Sequence, residues 1–185
     1  MIKIVVIILG ILTIAAVAFY AYYGGFAAPQ ISISAAGGET LIYEKIEGDY
    51  RQSGAIMDRI YYSLLNEDQI ETYKGFGIYY DNPQKVGVNE LRSEAGCILE
   101  EKDLERLPEL QKKYLVRTFP ATKYLVTEFP YKNNLSVLFS LIKVYPALNK
   151  FALENGFSEN SAVMEIYDIP NQKIIYRKAI VEKNE

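Results

Sequence analysis

The chain has 185 residues, half of them apolar, and a formal net charge of -3. This length suits one well-filled hydrophobic core rather than several domains. Histidine is absent and Cys97 is the single cysteine, which excludes an internal disulfide. The commonest general base and haem ligand are therefore missing, and we expect neither a metal site nor a cofactor. Because the basic residues are scattered rather than arranged in a stripe, we also expect no nucleic-acid partner.

The N-terminus contains a long apolar segment. From Ile4 to Tyr23 only Thr13 interrupts a run of apolar or small residues, which is long enough to cross a bilayer as one helix. A cleavable signal peptide is the alternative, because Lys3 precedes the apolar run. The aromatic residues at the end of the segment favour an uncleaved single-pass anchor over residues 1–25. The position of Lys3 predicts that the folded domain lies on the extracytoplasmic side.

A short linker is predicted over residues 26–39. It contains Pro29 and an alternating segment, Ile31-Ser32-Ile33-Ser34, that predicts an edge strand. Gly37 and Gly38 end this strand. Since the linker is brief, it would hold the domain close to the membrane.

Residues 40–185 contain one pattern twice, in modules of about 40–100 and 121–185. Each module has a strand, a helical stretch and two more strands joined by a turn that ends in proline. Aligning Pro83 with Pro170 places Tyr80 on Tyr167 and Ile78 opposite Glu165. The sequence therefore predicts an α+β fold of duplicated strand-helix-strand-strand modules with pseudo-twofold symmetry, and a cleft along the symmetry axis.

Helical periodicity predicts how the two long helices pack on the sheet. Ser53 and Asn134 are the predicted N-caps. The residues expected to face the sheet are Ile56, Ile60, Leu64 and Leu65 in the first helix, and Leu135, Leu138, Leu141, Ile142 and Tyr145 in the second.

Glu165 is the candidate ligand-binding carboxylate. It lies in mid-strand between Met164 and Ile166, where a charge is costly unless it is paired, protonated or held for a cation. A solvent-facing strand is the alternative. The chain has 16 tyrosines and 8 phenylalanines, and a cleft lined by such rings suits a lipophilic ligand, including a cationic one. The candidate walls are Tyr43, Tyr80, Phe129 and Tyr167.

At Tyr79-Tyr80-Asp81-Asn82-Pro83 and Glu165-Ile166-Tyr167 the chain resembles the GyrI-like small-molecule-binding domains. With the anchor and the motif Phe129-Pro130-Tyr131, it is similar to the membrane-anchored branch that includes the testis-expressed ER-phagy receptor. The resemblance implies the duplicated fold and a glutamate in the central cleft, here Glu165. The SOUL haem-binding proteins share that fold, but the absence of histidine argues against haem.

Three functions follow from these patterns. The leading one is a non-enzymatic, membrane-tethered domain that binds a small lipophilic ligand, with Glu165 as counter-charge. The second is an adaptor or scaffold that binds a membrane protein partner. The third is a hydrolase of small electrophiles, with Glu165 as base and Tyr80 or Tyr167 positioning the substrate. A lone carboxylate without an orienting partner is a poor catalytic arrangement, so an enzyme is the less favoured interpretation.

Overall fold

The computed structural model describes residues 2–183 and has an α+β architecture. One antiparallel sheet of eight strands carries two long helices, and a separate apolar helix precedes it. The predicted α+β class and the N-terminal apolar helix are confirmed. The helices are α1 (Ile2–Tyr22), α2 (Gln52–Glu67), α3 (Leu107–Leu110) and α4 (Asn134–Glu154). The strands are β1 (Ser32–Ala36), β2 (Thr40–Glu47), β3 (Lys74–Tyr79), β4 (Arg92–Ile98), β5 (Leu115–Thr118), β6 (Thr122–Pro130), β7 (Val163–Asp168) and β8 (Lys173–Ala179).

The strand order across the sheet is β1-β6-β8-β7-β3-β4-β2-β5. The chain order strand-helix-strand-strand occurs twice, as β2-α2-β3-β4 and as β6-α4-β7-β8. These two halves meet where β3 pairs with β7 at the centre of the sheet. Strand β5 was not predicted; it pairs with β2 and forms the edge opposite β1.

The faces of β3 and β7 contradict the alignment of the two modules made on the sequence. Gly77 pairs with Glu165, and Gly75 pairs with Tyr167. Ile78 packs into the core on the face of the sheet that carries no helix, whereas Glu165 faces α4. The alignment that equated Ile78 with Glu165 therefore matches residues of opposite faces, so it is shifted by an odd number of residues.

The two faces of the sheet have separate cores. On the helix face, one apolar cluster lies under α2 and another under α4. On the other face, a third cluster draws residues from both halves, including Phe76 and Ile166. Beside this face, the loop between β1 and β2 is hydrogen-bonded to the loop between β5 and β6. Gly38 donates from its backbone N–H to the Phe119 carbonyl, and Phe119 donates to the Glu39 carbonyl, each at 2.8 Å.

Helix α2 packs largely as predicted. Ile56, Ile60 and Leu64 are buried against the sheet. The predicted N-cap is wrong, because the helix begins at Gln52 and Ser53 is buried inside its first turn. In α4 the cap is Asn133, one residue before the predicted Asn134, and its side chain accepts a hydrogen bond from the Leu135 N–H at 2.9 Å.

Helix α4 packs with a different face from the one predicted. Leu135, Leu138, Leu141 and Ile142 are exposed. The residues that face the sheet are Ser136, Ser140, Val144, Leu148 and Ala152. The buried hydroxyls have partners, since Ser136 accepts from the Lys132 N–H at 3.0 Å and Ser140 bonds the Tyr176 hydroxyl at 2.5 Å. Small residues let the helix approach the bulky Phe129 and Tyr176 on the sheet.

The β2–β4 pairing makes a prediction about Gly96. A Cβ at this position would lie 1.9 Å from the Ile42 carbonyl oxygen, where backbone must move. We expect Gly96→Ala to lower the free energy of unfolding by at least about 3 kcal/mol, at the upper end of overpacking costs. Gly54→Ala is the control, because it meets open space on α2 and should raise the free energy by about 0.5–1 kcal/mol. Chemical denaturation of the detergent-solubilised chain measures both. Equal stability of the Gly96 variant and the parent chain would contradict the β2–β4 register.

Candidate ligand-binding groove

A groove of about 1670 Å³ lies on the helix face, between α2 and α4. Its floor is the central pair β3 and β7, and its outer parts reach the turns that follow those strands. Tyrosines dominate the lining, which gives aromatic surface with hydroxyl groups at the ring edges. They are Tyr50, Tyr61, Tyr73, Tyr79, Tyr80, Tyr131, Tyr145 and Tyr167.

Two glycines of β3 lie on the helix face of the sheet beside Glu165 and Tyr167, and Gly75 lines the groove. A Cβ on Gly77 would lie 2.6 Å from the Tyr79 hydroxyl, and a Cβ on Gly75 would lie 3.2 Å from the Met57 sulfur. The glycines therefore let the Tyr79 ring and the Met57 side chain pack directly on the backbone of β3, where the halves of the sheet meet.

Glu165 lies at this floor and is 1% exposed. Tyr145 donates a hydrogen bond to its Oε1 at 2.7 Å, and Tyr167 donates to its Oε2 at 2.6 Å. None of the ion pairs formed within residues 2–183 includes Glu165. Burial raises the pKa of this carboxyl, and the two tyrosine hydroxyls offset only part of that rise. When ionised, the carboxylate holds a charge that no neighbouring cation neutralises.

The tyrosines around Glu165 act as hydrogen-bond donors. Burial, followed by the nearby carboxylate, raises the pKa values of Tyr145, Tyr167 and Tyr79 above the ordinary range for tyrosine. Their hydroxyls therefore keep their protons at physiological pH. The Tyr131 and Tyr167 rings pack edge to face with centroids 5.9 Å apart, and Tyr79 packs against Tyr50 at 4.8 Å. The carboxylate thus lies among aromatic rings that help to fix each other's positions.

The groove as a whole is acidic. Six carboxylates line it and only three basic side chains do so. Several carboxylates at its outer parts have basic partners, as in the pairs of Asp81 with Arg92 and Glu159 with Lys85, both at 2.8 Å. Glu165 at the floor has no such partner, so the electrostatic preference for a cation is concentrated there.

Lys178 also lines the groove, and it is buried. Its ammonium donates to the carbonyls of Glu159 at 2.7 Å and Ser161 at 3.1 Å. Burial lowers the pKa of this lysine to about 8. These contacts tie the end of β8 to the loop before β7, and the ammonium is bound by backbone carbonyls rather than by Glu165.

The predicted site residues do not all meet. Glu165 and Tyr167 lie together on the floor. Tyr80 borders the groove, but its hydroxyl accepts from Arg117 at 3.3 Å, toward the other face of the sheet. Burial, followed by the charge of Glu94, raises the pKa of Tyr80 to about 12.

Tyr43 and Phe129 lie away from the groove, which corrects their assignment as walls. Tyr43 packs in the core of the opposite face, with the Arg117 guanidinium 5.5 Å from its ring centroid. Phe129 is buried in the cluster under α4. Tyr43 is excluded because it lies on the face without helices, and the sequence did not establish which side of each strand the helices cover. Phe129 lies on the helix face but is covered by α4.

Tyr79, Tyr145 and Gly75 line the groove and were missed as site residues. Tyr79 lies two residues from Gly77, so the two-residue period would have found it once Glu165 was known to pair with Gly77. Tyr145 was assigned to an apolar helix face. Its hydroxyl contact with Glu165 joins α4 to β7, and helical periodicity carries no information on that contact.

No family model matches the chain. Two curated proteins are similar to part of it. Testis-expressed protein 264 of Homo sapiens is 36% identical over 87 residues, which cover 44% of this chain and 28% of that protein. The Mus musculus homolog is 31% identical over 100 residues, covering 51% of this chain and 32% of the homolog. The matched segment thus spans less than a third of either relative.

Solved structures establish which fold the chain shares. The C-terminal domain of EcmrR matches with a TM-score of 0.56 at 9% identity, over 84% of this chain and 99% of that domain. EcmrR in a DNA complex matches at 0.58 and 13% identity, over 93% and 65% of the two chains. SAV2435 bound to tetraphenylphosphonium matches at 0.52 and 14% identity, over 83% and 93%. The fold is common to all three. Since one of these structures contains DNA, the absence of a nucleic-acid partner stays a prediction.

The position of Glu165 makes the stability of the protein depend on pH. The folded carboxyl holds its proton more tightly than the unfolded one, whose ordinary pKa is 4.5. The free energy of unfolding should therefore fall as pH rises from that value through the raised folded pKa, by about 1.4 kcal/mol per unit of elevation. Glu165→Gln should remove this fall and should be the more stable protein near neutral pH. Melting temperatures from about pH 4 to 8 measure the difference.

Glu128→Gln is the control for the pH series, because it removes one carboxylate that is exposed on β6. Its stability should follow that of the parent chain at each pH. Parallel pH profiles for the Glu165 variant and the parent would contradict the assignment of a raised pKa to Glu165.

Proposed function

We propose that the chain is a membrane-tethered domain that binds small lipophilic cations without catalysis. The observation that carries this proposal is the buried Glu165 carboxylate, which forms no ion pair within residues 2–183 and lies at the floor of a tyrosine-lined groove. Such a charge is costly in an empty site, and a cation from outside the protein would remove that cost.

The groove offers a lipophilic cation two sources of affinity. Apolar groups of the ligand would be removed from water against the tyrosine rings, at about 25 cal/mol per Å². Its charge would interact with Glu165 and with ring faces, and each good cation-π contact contributes about 0.5–2 kcal/mol.

The fold comparison is consistent with this ligand class. SAV2435 shares the fold and was solved with tetraphenylphosphonium, a cation shielded by four phenyl rings. We infer that residues 40–185 form a GyrI-like domain of two related modules, about 40–100 and 121–185. The repeated strand-helix-strand-strand order and the meeting of both halves at β3 and β7 support this inference.

The tether is the apolar helix α1. It is long and apolar enough to cross a membrane, although a signal sequence has the same properties. We propose that residues 1–25 form an uncleaved anchor and that residues 26–39 join it to the domain. The aromatic residues at the end of the helix support an anchor, because such residues favour the membrane interface. By the position of Lys3, we propose that the domain is extracytoplasmic.

Binding of a cation and of a neutral molecule tests the role of Glu165. Tetraphenylphosphonium and the uncharged triphenylphosphine oxide would be titrated into the detergent-solubilised chain at a pH of about 8, where more of the carboxyl is ionised. We expect Glu165→Gln to weaken the cation by at least about tenfold, or 1.4 kcal/mol, and to change the neutral ligand by less than about twofold. Glu128→Gln controls for the loss of one negative charge outside the groove. Equal losses for both ligands, or no binding of either by the parent chain, would overturn the proposal.

The hydroxyl of Tyr167 makes a second prediction. Tyr167→Phe keeps the ring and removes the donor that lies 2.6 Å from Glu165. The pKa of Glu165 should rise further, so the pH at which cation affinity reaches half its maximum should also rise. Tyr131→Phe is the matched control, because this neighbouring ring lines the groove without donating to Glu165. The same shift in both variants would show that the effect does not act through the carboxylate.

A further inference from the structure

Helix α4 exposes an apolar surface near its N-terminal end. This surface, the α4 outer face, consists of Leu135, Leu138, Leu141 and Ile142, which are 41%, 54%, 43% and 65% exposed. No charged residue interrupts the helix from Leu135 to Ile142. A contiguous apolar surface of this kind is unusual on a soluble domain and indicates a contact that covers it.

The equivalent helix in the other half has a different outer surface. Helix α2 lies on the same face of the sheet, yet its exposed side carries Asp58, Arg59 and Glu67. Arg59 forms an ion pair with Glu44 at 2.5 Å. The apolar outer face is therefore a property of α4 rather than of any helix at this position in the fold.

The C-terminal end of α1 packs directly beside this surface. The rings of Tyr20 and Tyr23 lie 5.7 and 6.3 Å from that of Phe139 in α4. Asn133 donates to the Tyr23 hydroxyl at 3.2 Å. Lys143 donates to the carbonyls of two residues just after α1, Gly25 and Ala27. These contacts hold the first half of α4 against the end of the apolar helix.

We propose that the α4 outer face is a second membrane-contact surface, which inserts into the lipid interface beside α1. Lipid is the occupant that fits, because the surface is continuous with the aromatic end of α1, where Tyr20 and Tyr23 mark the interface. An interfacial helix needs one apolar face and a polar remainder. Further along α4, Lys150 and Glu154 are exposed, so only the first half of the helix would enter the lipid.

This surface adjoins the groove. Val137, Leu141 and Tyr145 line the groove from α4, so Leu141 belongs to both surfaces. One wall of the groove would then stand at the lipid interface, where lipophilic cations concentrate. A ligand could pass from the bilayer to Glu165 along α4 without crossing bulk water, a consequence that rests on the proposed function.

Environment-sensitive fluorescence on the full chain in vesicles tests the lipid contact. Leu138→Cys, Ile142→Cys and Lys150→Cys would each be labelled with a nitrobenzoxadiazole probe, and Ala16→Cys would report on α1. Cys97 is buried, and burial raises the pKa of its thiol to about 11, so the introduced cysteines react first. The vesicles would contain phosphatidylcholine and phosphatidylglycerol, with or without doxyl groups on the acyl chains. Circular dichroism would check that each variant is folded.

We expect doxyl lipids to quench the probes at positions 138 and 142 at least about threefold more than the probe at position 150, with iodide in the water showing the reverse order. If the probe at position 16 is quenched while those at 138 and 142 match position 150, this inference fails and the tether stands. Lack of quenching at position 16 overturns the tether and the inference together. Protection at 138 and 142 that depends on protein density, and not on doxyl lipids, would indicate a second copy of the chain and also overturn the lipid contact.

Discussion

The antiparallel pairing of β3 with β7 determines the rest of the site. This pairing joins the two halves of the chain at the centre of the sheet and sets Glu165 beside Gly77. Because side chains alternate along a strand, the register places the carboxylate on the helix face and Ile166 in the opposite core. The helices α2 and α4 lie on either side of this central pair. The groove forms between the two helices, over this central pair of strands.

Glu165 and Asp168 are the buried carboxylates without an ion pair in residues 2–183, and Asn171 donates to Asp168 from its backbone and its side chain. Glu165 differs from the other two buried carboxylates. Glu94 pairs with Arg117 at 2.6 Å on the opposite face, and Asp68 pairs with Lys113 at 2.5 Å near α3. Each of these two carboxylates has a basic side chain as its partner, and each pair contributes to the structure of the domain. Glu165 receives only two tyrosine hydroxyls, which satisfy its oxygens but leave its charge. A protein that needed only stability would be better served by an apolar residue there, and this favours a role in ligand binding.

The proposed lipid contact and the candidate ligand groove share helix α4. Its inner face is built from small residues that approach the sheet, one side contacts Glu165 through Tyr145, and the outer face is apolar. The end of α1 packs on the same helix through Phe139. A shift of α4 relative to the membrane would therefore also move a wall of the groove. The proposed tether, lipid contact and ligand site would all be connected through this one helix.

The sequence by itself determined the secondary-structure class of the domain and singled out Glu165. The apolar run predicted α1, the alternation of strand and helix patterns predicted an α+β domain, and a charge in mid-strand singled out Glu165. These features depend on residue type and local period, which the sequence contains directly. The absence of histidine likewise limited the chemistry before any fold was known.

Only the tertiary structure decided which faces meet. A period of two or of 3.6 residues shows which side chains share a face, but it does not show which face the rest of the chain will cover. For this reason Tyr43 and Phe129 were wrongly assigned to the site, and Tyr79 was missed. For the same reason the leucines of α4 were expected to face the sheet. The face that packs on the sheet instead contains Ser140, which bonds Tyr176 far along the chain. Contacts between distant parts of the chain fix these choices, and no local pattern encodes them.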